Sequence, residues 1–173
     1  MRRKRDVLLV DGYNMIGGWS ELADLSRIRL QEARDRLLER LADYQAYSGL
    51  RIMVIFDAYR VPGLGKSFLQ NQIEVYFTKE KETADECIER LVGELSSRGR
   101  QIYVATSDLI EQHVIFGQGA LRLSARELLI DVENSEKEVQ KNITSRSLES
   151  KRNTIDDKLS PEVKEMFERW RRE

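Results

Sequence analysis

Among 173 residues the chain has one cysteine, Cys87, one histidine, His113, and two prolines, Pro62 and Pro161. A single cysteine excludes an intrachain disulfide and fits a reducing, cytoplasmic setting. Cys87 falls within a predicted helix among apolar neighbours, where a small core residue is expected. A single histidine excludes histidine-rich metal sites, and His113 has no cysteine or acid at ligand spacing, so it reads as structural. No apolar stretch is long enough to span a bilayer. The basic start Met1-Arg2-Arg3-Lys4-Arg5-Asp6 is followed by only four apolar residues before Asp11, too few for a signal-peptide core. Neither charge sign dominates: charged residues make up 34% of the chain and sum to a net charge of -1. Such a balance neither favours nor excludes a polyanionic partner, because one face can be basic while another is acidic.

What the chain does have is a repeated placement of carboxylates. The apolar run Val7-Leu8-Leu9-Val10 stops at Asp11, and Ile52-Met53-Val54-Ile55-Phe56 stops at Asp57. The run Ile73-Glu74-Val75-Tyr76-Phe77 leads through a charged loop to Thr83-Ala84-Asp85-Glu86. The run Ile102-Tyr103-Val104-Ala105 leads to Thr106-Ser107-Asp108. In an open parallel sheet these strand ends share the edge at which such folds bind ligands. Acids gathered on one edge repel one another, and a hard divalent cation with its preference for oxygen ligands offsets that repulsion. Each acid also has a simpler local explanation. Asp, Gly and Asn at 11, 12 and 14 are turn formers, and Asp85, Glu86 and Asp108 suit the first turn of a helix. Asp57 could pair with Arg60. The metal reading rests on all four acids together.

The patterns along the chain alternate. Leu30, Ala33, Leu37, Leu41 and Tyr44 recur at helical spacing, which predicts an amphipathic helix over 26–48 ended by Gly49. A strand over 51–56 follows, then a loop over 58–72 with a short helix near Phe68-Leu69, and a strand over 73–77. Thr83-Ala84-Asp85-Glu86 and Ser124-Ala125-Arg126-Glu127 have the capping-box pattern. They predict helices over 84–98 and from 124 to about 140. A strand over 101–105, a helix near 108–116 and a short strand at 120–123 lie between them. Strand and helix in alternation indicate a parallel α/β sheet covered on both faces. Residues 142–160 are polar and aperiodic and read as a linker or loop. Pro161 opens a final amphipathic helix carrying Val163, Met166, Phe167 and Trp170 on one side.

Other motifs carry less. Gly63-Leu64-Gly65-Lys66-Ser67 resembles the end of a phosphate-binding loop, but the required first glycine falls at Arg60. An aspartyl phosphotransferase would place a second acid two residues after Asp11, where this chain has Tyr13. Arg60, Lys66, Lys79 and Lys81 sit in loops after strand ends or before Asp85. They suit a solvated surface, or the basic rim that a phosphodiester enzyme places around an acidic metal centre. Tyr13, Trp19 and Tyr59 could stack unpaired bases or serve as packing.

Val-Asp-Gly-Tyr-Asn at 10–14, Phe-Asp-Ala at 56–58, Glu-Thr-Ala-Asp at 82–85 and Thr-Ser-Asp at 106–108 together resemble the NYN group of PIN-like nucleases, and within it the bacterial YacP-like family. The resemblance implies a PIN-like three-layer fold, a central and mainly parallel sheet flanked by helices, here with a C-terminal helical appendage. It implies a metal-dependent endoribonuclease using Mg²⁺ or Mn²⁺, acting on mRNA in association with the translating ribosome. By position, Asp11, Asp57, Asp85 and Asp108 match the acidic cluster and Asn14 the motif asparagine. Tyr13, Arg60, Lys66, Lys79 and Lys81 are the candidate RNA contacts. The expected organisation is a nuclease domain over 6–141, the polar segment 142–160, and the helix 161–173. A catalytically silent RNA- or ribosome-binding module is the alternative. A small phosphatase or receiver-like domain built on Asp57 is a more distant one.

Overall fold

The apolar run Val7–Asp11 is strand β1 at the centre of the sheet. Helices α1 (Gly12–Gly18), α2 (Ser20–Ile28) and α3 (Leu30–Ser48) follow it, then strand β2 (Arg51–Phe56). The hairpin β3 (Ser67–Gln70) and β4 (Ile73–Phe77) comes next. Helix α4 (Ala84–Leu95), strands β5 (Ile102–Ala105) and β6 (Leu121–Leu123), and helix α5 (Ala125–Arg152) complete the order. This computed structural model describes residues 5–58, 67–96, 99–107 and 119–152, together with Arg169. The chain divides into two units, Met1–Glu136 and Lys137–Glu173.

Among the described residues six strands lie in the order β3-β4-β2-β1-β5-β6, all parallel except β3, which runs antiparallel to β4 at one edge. Strand alternation sorts the core into two layers. Leu8 and Val10 of β1 with Ile52, Val54 and Phe56 of β2 face α1, α2, α3 and α5 through Met15, Trp19, Leu22, Leu37, Leu41 and Leu128. Val7, Leu9, Met53 and Ile55 face α4 through Cys87, Ile88, Leu91 and Val92. Each fully buried aliphatic side chain contributes about 1.5–3 kcal/mol. The continuous apolar runs of β1 and β2 are what two covered faces demand.

Several elements differ from the sequence-based expectation. The helix expected over 26–48 is interrupted at Arg29, which is extended (φ -145°, ψ 93°) and separates α2 from α3. Residues 12–25, for which the spacing predicts no helix, form α1 and most of α2. Asp11 caps α1 by accepting from Asn14 N at 3.2 Å, and Trp19 at the α1–α2 junction is buried, with its Nε1 donating to Ala125 O at 2.8 Å. Near Phe68-Leu69 there is strand β3 where a short helix was expected. Asn71 (φ 50°) and Gln72 (φ 65°) both turn left-handed and fold β3 back onto β4, the geometry of a tight hairpin.

Residues 142–152, expected as a linker, continue α5. No glycine or proline interrupts them, and the hydroxyls of Thr144, Ser145 and Ser147 bond back to carbonyls one turn earlier, which absorbs side chains that otherwise favour loops. The helix expected near 108–116 and, apart from Arg169, the terminal helix 161–173 lie outside the described residues. Among the described residues no helix is long and apolar enough to cross a membrane.

Candidate active site

The connections leave β1 towards β2 on one side, while α4 carries the chain across the sheet to β5 on the other. The order therefore reverses beside β1, and open α/β sheets place their ligand crevice outside the carboxyl ends of the strands at such a point. Here a cleft of about 350 Å³ is lined by Asp11, Tyr13, Asn14, Asp57, Thr83, Ala84 and Asp85.

Three elements bring the three acids there. Asp11 and Asp57 keep the alternation of Leu9 and Ile55, the residues that face α4. Both are half-buried, whereas Asp85 is exposed in the first turn of α4. That helix is fixed by a complete capping box. Thr83 Oγ1 accepts from Glu86 N at 3.2 Å, and Glu86 accepts from Thr83 N at 3.0 Å. Glu86 is thus committed to the cap, while Asp85, its neighbour, lines the cleft. The turn after β2 is held by Thr78, which is buried. Its N–H donates to Phe56 O at 3.0 Å and its Oγ1 accepts from Ala58 N at 2.9 Å, either side of Asp57.

Asn14 ties two strand ends together. Its Oδ1 accepts from Ser107 N at 2.8 Å, and because a backbone N–H only donates, this bond fixes the amide orientation. Ser107 Oγ in turn accepts from Ala125 N at 3.1 Å, at the start of α5. Ser107 is therefore bound to the start of α5. Ser124 and Glu127 form the second capping box, with Glu127 accepting from Ser124 N at 2.7 Å. This bonding holds the Glu127 carboxyl below its usual range.

Gly12, read from sequence as a turn former, is set by packing. A Cβ at this position would lie 2.3 Å from Phe56 Cε1, so the glycine is required by a ring packed under the first turn of α1. Tyr13 stacks at a tilt on the same ring, with centroids 5.1 Å apart, and its hydroxyl accepts from Arg34 Nη1 at 3.0 Å. It lines the cleft and packs on the core at once. Trp19 is wholly core. Lys79 and Lys81 are exposed on the loop before α4, Lys81 with φ 82°, and are not among the cleft-lining residues. Asp108, Arg60 and Lys66, with Tyr59 and His113, lie outside the described residues. Thr78, Ser107 and Arg34 were not singled out as site residues from sequence. Thr78 and Ser107 act through backbone bonds that no local pattern announces, and Arg34 has the look of an ordinary arginine on an amphipathic helix.

Among the described residues no three of His, Cys, Asp and Glu are drawn close enough to cage a metal ion. The donor set nonetheless suits a hard cation. Asp11, Asp57 and Asp85 offer carboxylate oxygens around a shared open volume. Mg²⁺ keeps several of its waters and is bound through one or two carboxylates together with substrate phosphate.

A mainly parallel sheet with carboxylates gathered outside the ends of its central strands defines a PIN-like α/β domain. The YacP-like NYN domain family matches residues 8–172, and the chain belongs to that family. It is 52% identical over 167 residues to the YacP protein of Bacillus subtilis (strain 168), covering 96% of this chain and 97% of that one. The crystal structure of Rae1 (YacP) from Bacillus subtilis matches with a TM-score of 0.75 at 51% identity, over 96% of this chain and 95% of that one. A tryptophan-to-leucine variant of Rae1 matches with the same TM-score at 50% identity, over 83% and 85% of the two chains. The NYN group is a PIN-like nuclease family, so membership points to an RNase-type function and to RNA as the partner.

Proposed function

We propose that the protein is a metal-dependent endoribonuclease that cleaves mRNA in the cytoplasm in association with the translating ribosome. One observation carries the reading: Asp11, Asp57 and Asp85, delivered by three separate elements, line a single cleft at the point where the strand order reverses. Their mutual repulsion has a use only if the cleft receives positive charge. A silent binding module has no need to keep them together.

In this reading Asp11 and Asp85 are the main ligands of Mg²⁺ or Mn²⁺, and Asp57 and Asp108 complete the set directly or through water. When bound, such an ion neutralises the scissile phosphate and makes a nearby water more acidic. The carboxylates orient that water in line with the leaving oxygen. Water adds to phosphorus, the P–O3′ bond breaks, and the 3′ oxygen takes up a proton, leaving a 5′-phosphate on the other fragment. Asn14, with Oδ1 spent on Ser107 N, keeps its amide N–H groups for a ligand and aligns the end of β5. Tyr13, Arg60, Lys66, Lys79 and Lys81 hold the flanking RNA. The catalytic domain spans 6–141, and the amphipathic segment 161–173 serves docking.

The test is incubation of the full chain with an mRNA, with and without translating ribosomes and with and without Mg²⁺ or Mn²⁺, beside Asp11→Asn. Cleavage to 5′-phosphate ends that needs the metal and the aspartate supports the reading. Binding of RNA or ribosomes without cleavage under every condition would instead establish the silent module.

A further inference from the structure

We propose that Arg34 is a phosphate-binding residue of the cleft, which grips the RNA backbone beside the carboxylates. The inference rests on the nuclease reading above and adds to it a residue and a ligand class.

Helix α3 and its N-cap carry Arg29, Arg34, Arg36 and Arg40. Three of them are neutralised by carboxylates: Arg29 by Glu32, Arg36 by Glu21 and Glu39, and Arg40 by Glu136 at 2.8 Å. Arg34 is treated differently. Its Nη1 donates to the Tyr13 hydroxyl at 3.0 Å, its Nη2 donates to Gln31 Oε1, and its guanidinium lies 5.8 Å from the centre of the Phe77 ring. All three partners are neutral. The adjacent carboxylate, Asp35, accepts instead from Gln31 and Gln70. Among the described residues Arg34 has no ion pair.

A guanidinium has five N–H donors in a rigid fork. Two are used here, and they hold the plane in place without cancelling its charge. What remains suits bidentate contact with a phosphate, the geometry in which arginine surpasses lysine. The placement is also right. Tyr13 lines the cleft with Asp11 and Asp57, and Arg34, itself not a lining residue, reaches that rim through the Tyr13 hydroxyl. A polyanion approaching three carboxylates meets repulsion, and an uncompensated cation at that rim opposes it. Phe77, stacked on Phe56 at 5.5 Å, supplies the aromatic floor under the guanidinium.

The experiment uses the full chain carrying Asp85→Asn, so that RNA is bound and not consumed, and a short fluorescent single-stranded RNA titrated over a range of salt. Adding Arg34→Gln should weaken binding about tenfold. It should also reduce the slope of log affinity on log salt by about 0.7, the value of one phosphate contact on a single strand. Arg34→Lys should restore the slope with part of the affinity, and Tyr13→Phe should leave the slope unchanged. Equal affinity and slope with and without Arg34→Gln would overturn the proposal while leaving aspartate-dependent cleavage untouched. Failure of the Asp85→Asn chain to bind RNA at all would overturn this inference, while the nuclease reading stands or falls on the cleavage assay with ribosomes. If Arg34→Gln also lowers the melting temperature, Arg34→Lys decides. A lysine variant as weak and as salt-insensitive as the glutamine variant assigns Arg34 to packing.

Discussion

Asn14 and Ser107, 93 positions apart in the chain, are joined by a 2.8 Å bond from the Ser107 N–H to the Asn14 Oδ1. The bond makes one unit of the first turn of α1 and the end of β5, and Asp11 lies just before the first of these. Asn14→Ala removes the acceptor. Because Ser107 is exposed, water replaces part of the lost bond, and the expected cost is about 1 kcal/mol. Cleavage should fall much further than stability does. Thermal melts beside cleavage rates check this, and equal losses in both would mean that Asn14 is only structural.

Asp11 caps α1, and substitution can separate that role from the one proposed for it in cleavage. Its Oδ1 caps α1 through Asn14 N, and asparagine caps a helix as well as aspartate does. Asp11→Asn should therefore abolish cleavage while keeping the metal-free melting temperature level or raising it, since one charge leaves a repulsive group. Asp11→Ala should abolish cleavage and also cost about 1 kcal/mol for the lost cap. Asp85 caps nothing, so Asp85→Asn should match Asp11→Asn. Parent-like cleavage by either asparagine variant would remove that aspartate from the essential set.

Gly12→Ala drives a methyl into Phe56, since the added Cβ would sit 2.3 Å from Phe56 Cε1. The ring and the first turn of α1 must part, at an expected cost of about 1–3 kcal/mol. Phe56→Leu in the same chain should recover much of that loss. Denaturant titration of the two single variants and the double variant measures the coupling. Additive losses would show that the close approach is not what requires glycine.

Cys87 is buried against β1 and β2, and burial pushes its thiol up to about 11 from an ordinary 9.0. A raised thiol pKa favours the protonated, native form. This stability is complete below about pH 9 and is lost as pH rises towards 11. At pH 8 an alkylating reagent should modify the unfolded chain quickly and the native chain very slowly, with the native rate tracking global opening. Fast labelling of the native protein, measured by mass spectrometry, would contradict the packing described for α4.

Much of this molecule was legible in single runs of residues. The apolar stretches 7–10, 52–56 and 102–105 specified parallel strands, because strands covered on both faces are apolar nearly throughout. Residues 73–77 showed instead the alternation of a half-covered strand, with Glu74 between Ile73 and Val75. The hydroxyl–glutamate pairs at Thr83–Glu86 and Ser124–Glu127 specified where α4 and α5 begin. The placement of Asp11, Asp57 and Asp85 at one edge followed from those assignments. These are local signals, a period or a spacing, and a chain displays them before it folds.

Tertiary structure decided what depends on contacts between distant segments. Propensity did not mark 12–25 as helical; the burial of Trp19 and its bond to Ala125 O, more than a hundred residues away, define the junction between α1 and α2. The hairpin of β3 on β4 required two left-handed residues that the sequence did not advertise, since Gln72 is not a turn former. Gly12 is glycine because of Phe56, and Tyr13 is held by Arg34, a pairing with no periodicity to reveal it. The sequence by itself determined which acids stand at the edge of the sheet. Only the packing of α1, α3 and α4 around that edge decided which side chains share the cleft, because that depends on hydrogen bonds and ring contacts between residues far apart in the chain.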